Sequence, residues 1–79
     1  MSRKIFNGVF MGLVGLKQIR KEKRLSQLKV AMDLSISREA LSHYENGKRS
    51  PDVNMLISLS DYFNVSIDYL IKGKEFKKR

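Results

Sequence analysis

The sequence contains no cysteine, which excludes disulfides, thiolate catalysis and cysteine-containing zinc sites. That absence is compatible with a reducing, cytoplasmic setting. His43 is the only histidine, so a multi-histidine metal site or a histidine pair for catalysis is excluded within one chain. No apolar run reaches the length needed to span a bilayer. A Gly-rich phosphate loop and an acidic cluster with metal-ligand spacing are also missing, and Asp33 and Glu39 show no convergence in the sequence. These absences argue against an enzyme and against any metal or other cofactor. Negative charge is scarce as well: sixteen Lys and Arg stand against eight Asp and Glu, for +8 at pH 7. A surface of that sign favours polyanions, meaning nucleic acid or an anionic membrane face.

The chain has 79 residues, which implies one domain with a modest core. Its 42% apolar content supports a globular fold rather than disorder along the whole length. The most informative stretch runs from Ser26 to Glu45. It reads as two short helices joined by a tight turn, each opened by a serine, Ser26 or Ser37, able to accept from the first free backbone amides. Val30, Ala31, Leu34, Ile36 and Leu41 mark an inward face, and small Ala31 allows close helix approach. Arg38, Glu39, Ser42 and His43 lie on the other side of the second helix. That is the layout of a helix-turn-helix.

Helical spacing begins at Leu16, with Ile19 three residues on and Lys17, Arg20, Lys21 and Lys23 on the polar side. Asn46-Gly47 supplies a stop after the third helix, since both residues tolerate the left-handed conformation. Lys48-Arg49-Ser50-Pro51 is a basic loop. Asp52 can cap a fourth helix carrying Val53, Leu56, Leu59 and Phe63 at 3–4 spacing, closed by Asn64. Ser66 caps a fifth, with Ile67, Leu70 and Ile71, stopped by Gly73. Five short helices with brief connections predict an all-α bundle. The expected division is an apolar and basic N-terminal extension (1–15), a helical domain (16–73) and a basic C-terminal tail (74–79).

Residues 16–73 resemble the lambda-repressor-like, Cro-type helix-turn-helix domains, often called the xenobiotic-response-element family. The matching pieces are Ile19-Arg20-Lys21-Glu22-Lys23, Leu25-Ser26-Gln27, Ile36-Ser37-Arg38, Leu41 through Pro51, and Leu59 through Leu70. The resemblance implies a compact five-helix bundle with the third helix as reader. It also implies sequence-specific binding of double-stranded DNA, as a homodimer on a palindromic operator, and transcriptional regulation, as a repressor. Arg38 and Glu39 match the first reader positions, and Ala40, Ser42 and His43 match further positions that can meet bases. Gln27, Ser37, Asn46, Lys48 and Arg49 fall where phosphates lie. Arg20 and Glu45 match a structural ion pair. Ile67, Tyr69, Leu70 and Ile71 form an apolar edge suited to a dimer, or one that seals a small core.

Side-chain chemistry is consistent with these roles without fixing them. Arg38 can bond guanine O6 and N7, or a phosphate. Glu39 can accept from cytosine N4, or complement the helix dipole. Lys48 and Arg49 give affinity without sequence information, or form a solvated basic loop.

Three departures stand out. Ser35 occupies a turn position usually held by glycine. Leu28 and Met32 place an apolar stripe on a helix face usually charged in the family. Residues 1–15 extend beyond the match. Ile5, Phe6, Val9 and Phe10 are candidates to cover that stripe; a subunit contact, or two isolated surface apolars, are the other readings. The extension reads poorly as a secretory signal, because Gly8, Gly12 and Gly15 break it and charge follows at once. An arm, a packed coil, or a leader before a second start at Met11 remain open. An antitoxin-like module that binds a partner protein as well as DNA is the alternative function; membrane-surface binding is disfavoured.

Overall fold

The computed structural model describes residues 12–73. Among them are five helices: α1 (Val14–Glu22), α2 (Gln27–Asp33), α3 (Arg38–Asn46), α4 (Val53–Phe63) and α5 (Ile67–Lys72). The fold is all-α, as the sequence predicts. The readings that concern residues 1–11 and 74–79, including coverage of the α2 stripe by Ile5, Phe6, Val9 and Phe10, lie outside the described residues.

Four helices start on a side-chain cap. Ser26, Ser37 and Ser66 Oγ accept from the amides of Lys29, Ala40 and Tyr69 at 3.0, 2.9 and 2.9 Å, and Asp52 Oδ1 accepts from Met55 at 2.8 Å. Each cap contributes about 1 kcal/mol relative to alanine. The fifth start, that of α1, has Leu13 at the cap position and no side-chain hydrogen bond. This corrects the expected helix start: α1 begins at Val14, not Leu16, and no capping residue announces it. The boundary drawn at residue 16 falls inside the packed structure, since Gly12, Leu13 and Gly15 are all buried. The Leu13 amide donates to the Tyr44 carbonyl at 3.0 Å, which ties the chain entry to α3. Gly15 lies where α1 meets α5; a Cβ there would come within 1.7 Å of the Tyr69 carbonyl oxygen.

The ends of α1 to α4 are built alike. After α1, α2 and α4 the chain turns through a left-handed residue, Arg24 (φ 58), Ser35 (φ 59) or Asn64 (φ 57). The next amide reaches back five residues: Leu25 to Arg20 at 3.1 Å, Ile36 to Ala31 at 3.0 Å, Val65 to Ser60 at 3.1 Å. Gly47 (φ 81) ends α3, with the Lys48 amide on the His43 carbonyl at 3.0 Å. This arrangement satisfies carbonyls that the helix leaves free, and the residue after the turn packs inward. Leu25, Ile36 and Val65 accordingly lie against the core.

Among the described residues the core consists of Leu13, Leu16, Ile19, Val30, Ala31, Ala40, Leu41, Tyr44, Leu59, Phe63 and Leu70. Ala31 is fully enclosed, which permits the close packing of α2 on α3. α1 packs on α5, α3 and α4. One inward assignment fails: Val53, placed by spacing on the apolar face of α4, is 66% exposed. It is the first residue of the helix, whereas Leu59 and Phe63 lie in its second half.

Candidate nucleic-acid interface

Two ionised side chains are buried among the described residues, Arg20 and Glu45. Arg20 Nε lies 2.6 Å from Glu45 Oε2 and Nη2 lies 3.1 Å from Oε1, a side-on bidentate pair. Arg20 Nη1 also donates to the Leu25 carbonyl at 2.9 Å. The pair thus joins α1, the corner before α2 and the last turn of α3. Gln27 extends it: its Nε2 donates to Glu45 Oε1 at 3.0 Å, while its Oε1 accepts from Arg38 Nη1 at 3.1 Å. The amide orientation is fixed by its neighbours, because a carboxylate can only accept and a guanidinium can only donate. A continuous path of charge-assisted bonds runs from the core to the first residue of α3.

Arg38, Glu39 and Asn46 on α3 are exposed, and Ser42 and His43 are half-buried beside them. Asn46 Nδ2 donates to Ser42 Oγ at 3.2 Å one turn earlier. Ala40 does not belong with them. It is only 8% exposed and shares the inward face with Leu41, Tyr44 and Glu45, so the expectation that it meets bases is corrected. The cause is helical phase: position 40 falls with 41, 44 and 45, opposite 38, 39, 42 and 46. Ser37 sits just before α3 with its oxygen engaged as the cap. Lys48 and Arg49 follow α3 on an exposed loop, and the Arg49 guanidinium lies 5.8 Å from the centre of the Tyr44 ring. That cation–π contact orients the loop against the helix it leaves. The Gln27–Arg38 bond has no signature in sequence spacing, since its partners lie eleven residues apart across a turn.

A family model described as helix-turn-helix matches residues 16–70. The chain belongs to the helix-turn-helix family. It is 46% identical over 63 residues to the HTH-type transcriptional regulator YqaE of Bacillus subtilis, covering 80% of this chain and 54% of that protein. It is 42% identical over 60 residues to the HTH-type transcriptional activator BcrR of Enterococcus faecalis, covering 76% of this chain and 29% of the relative. The chain therefore matches about half the length of the first and less of the second. Among solved structures, the DNA-binding domain of BldD from S. venezulae superposes with a TM-score of 0.64 at 27% identity, covering 73% of this chain and 87% of that domain. The fold of this chain is that of a lambda-repressor-like helix-turn-helix domain.

The residues offered as a dimer edge divide. Leu70 is fully buried within the monomer, which removes it from any contact surface, and Ile67 and Tyr69 are half-buried. Leu70 occupies the phase of α5 that faces the core. Ile71 remains 44% exposed and, with Leu13, Ser50, Pro51 and Leu56, lines an apolar groove of about 240 Å³. Val53 and Ile57 on α4 are exposed too. On α2, Leu28 and Met32 are exposed. Beside them Asp33 pairs with Lys29 Nζ at 3.3 Å and accepts a short hydrogen bond from the Tyr62 hydroxyl of α4. The Tyr62 bond, opposed by desolvation and assisted by Lys29, holds the Asp33 carboxyl below its ordinary value. The same bond, helped by partial burial and the adjacent negative charge, pushes Tyr62 up to about 12.

Proposed function

We propose that this chain is a sequence-specific DNA-binding transcriptional regulator, acting as a repressor, that sets α3 in the major groove of a palindromic operator as a dimer. The observation that carries this reading is the bonded path from Arg20 through Glu45 and Gln27 to Arg38. It holds the first residue of an exposed polar helix face in place before any ligand arrives, which lowers the ordering cost of binding. The names of the relatives, a transcriptional regulator and a DNA-binding domain, support it. Arg38 keeps N–H groups beyond the one Gln27 holds, and these reach guanine O6 and N7. Glu39 accepts from cytosine N4, and Ser42 and His43 contact neighbouring bases or phosphates. Ser37 can donate its hydroxyl proton to a phosphate while its oxygen still accepts from Ala40. Gln27, Asn46, Lys48 and Arg49 meet phosphates on the two sides of the groove. Ile71, with Val53 and Ile57, forms the contact with a second copy.

Selection of bound duplexes from a random pool tests the reading. A palindromic consensus with half-sites about 10 base pairs apart is expected. Arg38→Ala should lose preference at one base pair of each half-site, at a cost of about 1–3 kcal/mol. Absence of any enriched sequence would remove the reading. A reporter carrying the selected site should fall in output when the protein is expressed; a rise, as the name of BcrR would suggest for that relative, would overturn repression while leaving recognition intact.

A further inference from the structure

The corner between α1 and α2 contains a residue that its own fold does not favour. Arg24 stands at φ 58, in the left-handed region that suits glycine and asparagine. The equivalent turns after α3 and α4 use those two residues, Gly47 and Asn64, and the turn after α2 uses the small Ser35. The turn at Arg24 is otherwise the same, with amides returning to Lys21 at 3.0 Å and to Arg20 at 3.1 Å. Among the described residues its side chain makes no contact that offsets the strain. Arg24 is exposed, and its guanidinium has no hydrogen bond or ion pair among the described residues. Lys23 beside it is exposed as well.

The position of the corner is well defined. The carbonyl of the following residue, Leu25, is held by Arg20 Nη1, the same guanidinium that grips the end of α3 through Glu45. Three residues after Arg24, the Gln27 side chain bonds to Arg38. The corner is thus tied to both ends of α3, to Glu45 through Arg20 and to Arg38 through Gln27. The basic loop of Lys48 and Arg49 lies beyond the last turn of α3. A helix in a major groove about 12 Å wide has a row of phosphates on either side. On the reading above Gln27 meets one row and the loop after α3 the other, and the corner leads directly into α2 at Gln27.

We propose that Arg24, assisted by Lys23, is a further phosphate-binding point on duplex DNA, on the side of the groove that Gln27 occupies. This inference rests on the DNA-binding reading above and adds to it a contact opposite Lys48 and Arg49. Arg24 contributes affinity for any sequence and no base preference. Its unfavourable backbone conformation is a stability cost kept for a contact outside the fold.

Replacing Arg24 with glycine gives two effects of opposite sign. Arg24→Gly should raise the melting temperature by about 2–5 °C, because the left-handed strain is relieved. It should weaken binding by about five-fold at low salt and make the slope of log K against log salt shallower by about 0.9. Both should appear on a selected duplex and on a scrambled duplex of equal length, read by fluorescence anisotropy at several salt concentrations. Arg24→Lys keeps the charge and should keep the wild-type slope. If the wild-type protein binds duplex DNA and Arg24→Gly binds with unchanged affinity and slope, this inference fails and the DNA-binding reading stands. If the loss appears on the selected duplex alone, Arg24 reads a base and the proposed phosphate role is overturned. If wild-type protein binds neither duplex, both fall together.

Discussion

Glu45→Ala should remove a large part of the stability of the domain. The Glu45 side chain is 1% exposed and accepts from Arg20 Nε and Nη2 and from Gln27 Nε2. Truncation leaves three donors with no acceptor, two of them on a guanidinium that is itself 10% exposed. Stranding one partner of a buried ion pair costs about 3–5 kcal/mol. A domain of this size has about 4–12 kcal/mol in total. The melting temperature should fall by at least about 12 °C, at 4–8 °C for each kcal/mol. Urea unfolding followed by far-ultraviolet circular dichroism gives the midpoint and slope directly. Replacing both partners, Arg20→Met with Glu45→Leu, should recover most of the loss, because an apolar pair leaves no charge uncompensated. The double-mutant cycle then isolates the coupling. That recovered protein should still bind DNA poorly, since Gln27 has lost the carboxylate that fixes its amide. A loss below about 1 kcal/mol for Glu45→Ala, the value of a solvent-exposed pair, would refute the burial reasoning. So would a double variant no more stable than the single one.

Three further outcomes follow from the same geometry. Ser35→Gly should stabilise the domain by about 1 kcal/mol, because φ 59 costs serine a steric penalty that glycine avoids; an unchanged or lower melting temperature would contradict it. Gly15→Ala should destabilise by about 2 kcal/mol or more, since the added Cβ meets the Tyr69 carbonyl at 1.7 Å and α1 must move away from α5; a wild-type melting temperature would refute the close approach. The Tyr62–Asp33 bond should shape the pH profile at both ends. Asp33 is depressed, so its contribution is present above its unfolded value of about 4 and is lost as pH falls through its folded value. Tyr62 is raised to about 12, so its contribution is full below about pH 10 and is lost as pH climbs toward 12. In Tyr62→Phe the Asp33 carboxyl should titrate higher by NMR; an unmoved titration would mean that the bond does not form in solution.

Local chemistry made most of the fold legible. Ser26, Ser37, Asp52 and Ser66 announce four helix starts because a cap is a property of a few adjacent residues. Gly47 and Asn64 announce two stops for the same reason. The start of α1 was hidden because its burial depends on α3 and α5, with Leu13 bonded to Tyr44 and Gly15 set against Tyr69. Glycines that look like interruptions in one dimension are close-packing sites in three. Arg20 and Glu45 could be paired through a family resemblance, but the placement of Gln27 between Glu45 and Arg38 required coordinates. Ala40 shows the limit of carrying positions over from a resemblance, since helical spacing alone had left it off the face of Arg38, Glu39, Ser42 and His43, and Leu70 shows how a short helix with apolar residues on several faces hides which one is buried. Arg24 shows another, because nothing in the order of residues reveals a strained backbone.

The fixed amide of Gln27 sets a rule for how this domain can change its vocabulary. Glu45 accepts only, so the nitrogen end of Gln27 is committed to it and the oxygen end faces position 38. A residue there that brings a hydrogen, such as arginine, lysine or asparagine, meets a willing oxygen. An aspartate or glutamate would set oxygen against oxygen, and inverting the amide to accommodate it would turn the nitrogen away from the buried carboxylate. New specificities should therefore emerge at position 38 through alternative donors, while acidic replacements require an accompanying change at Gln27 or Glu45.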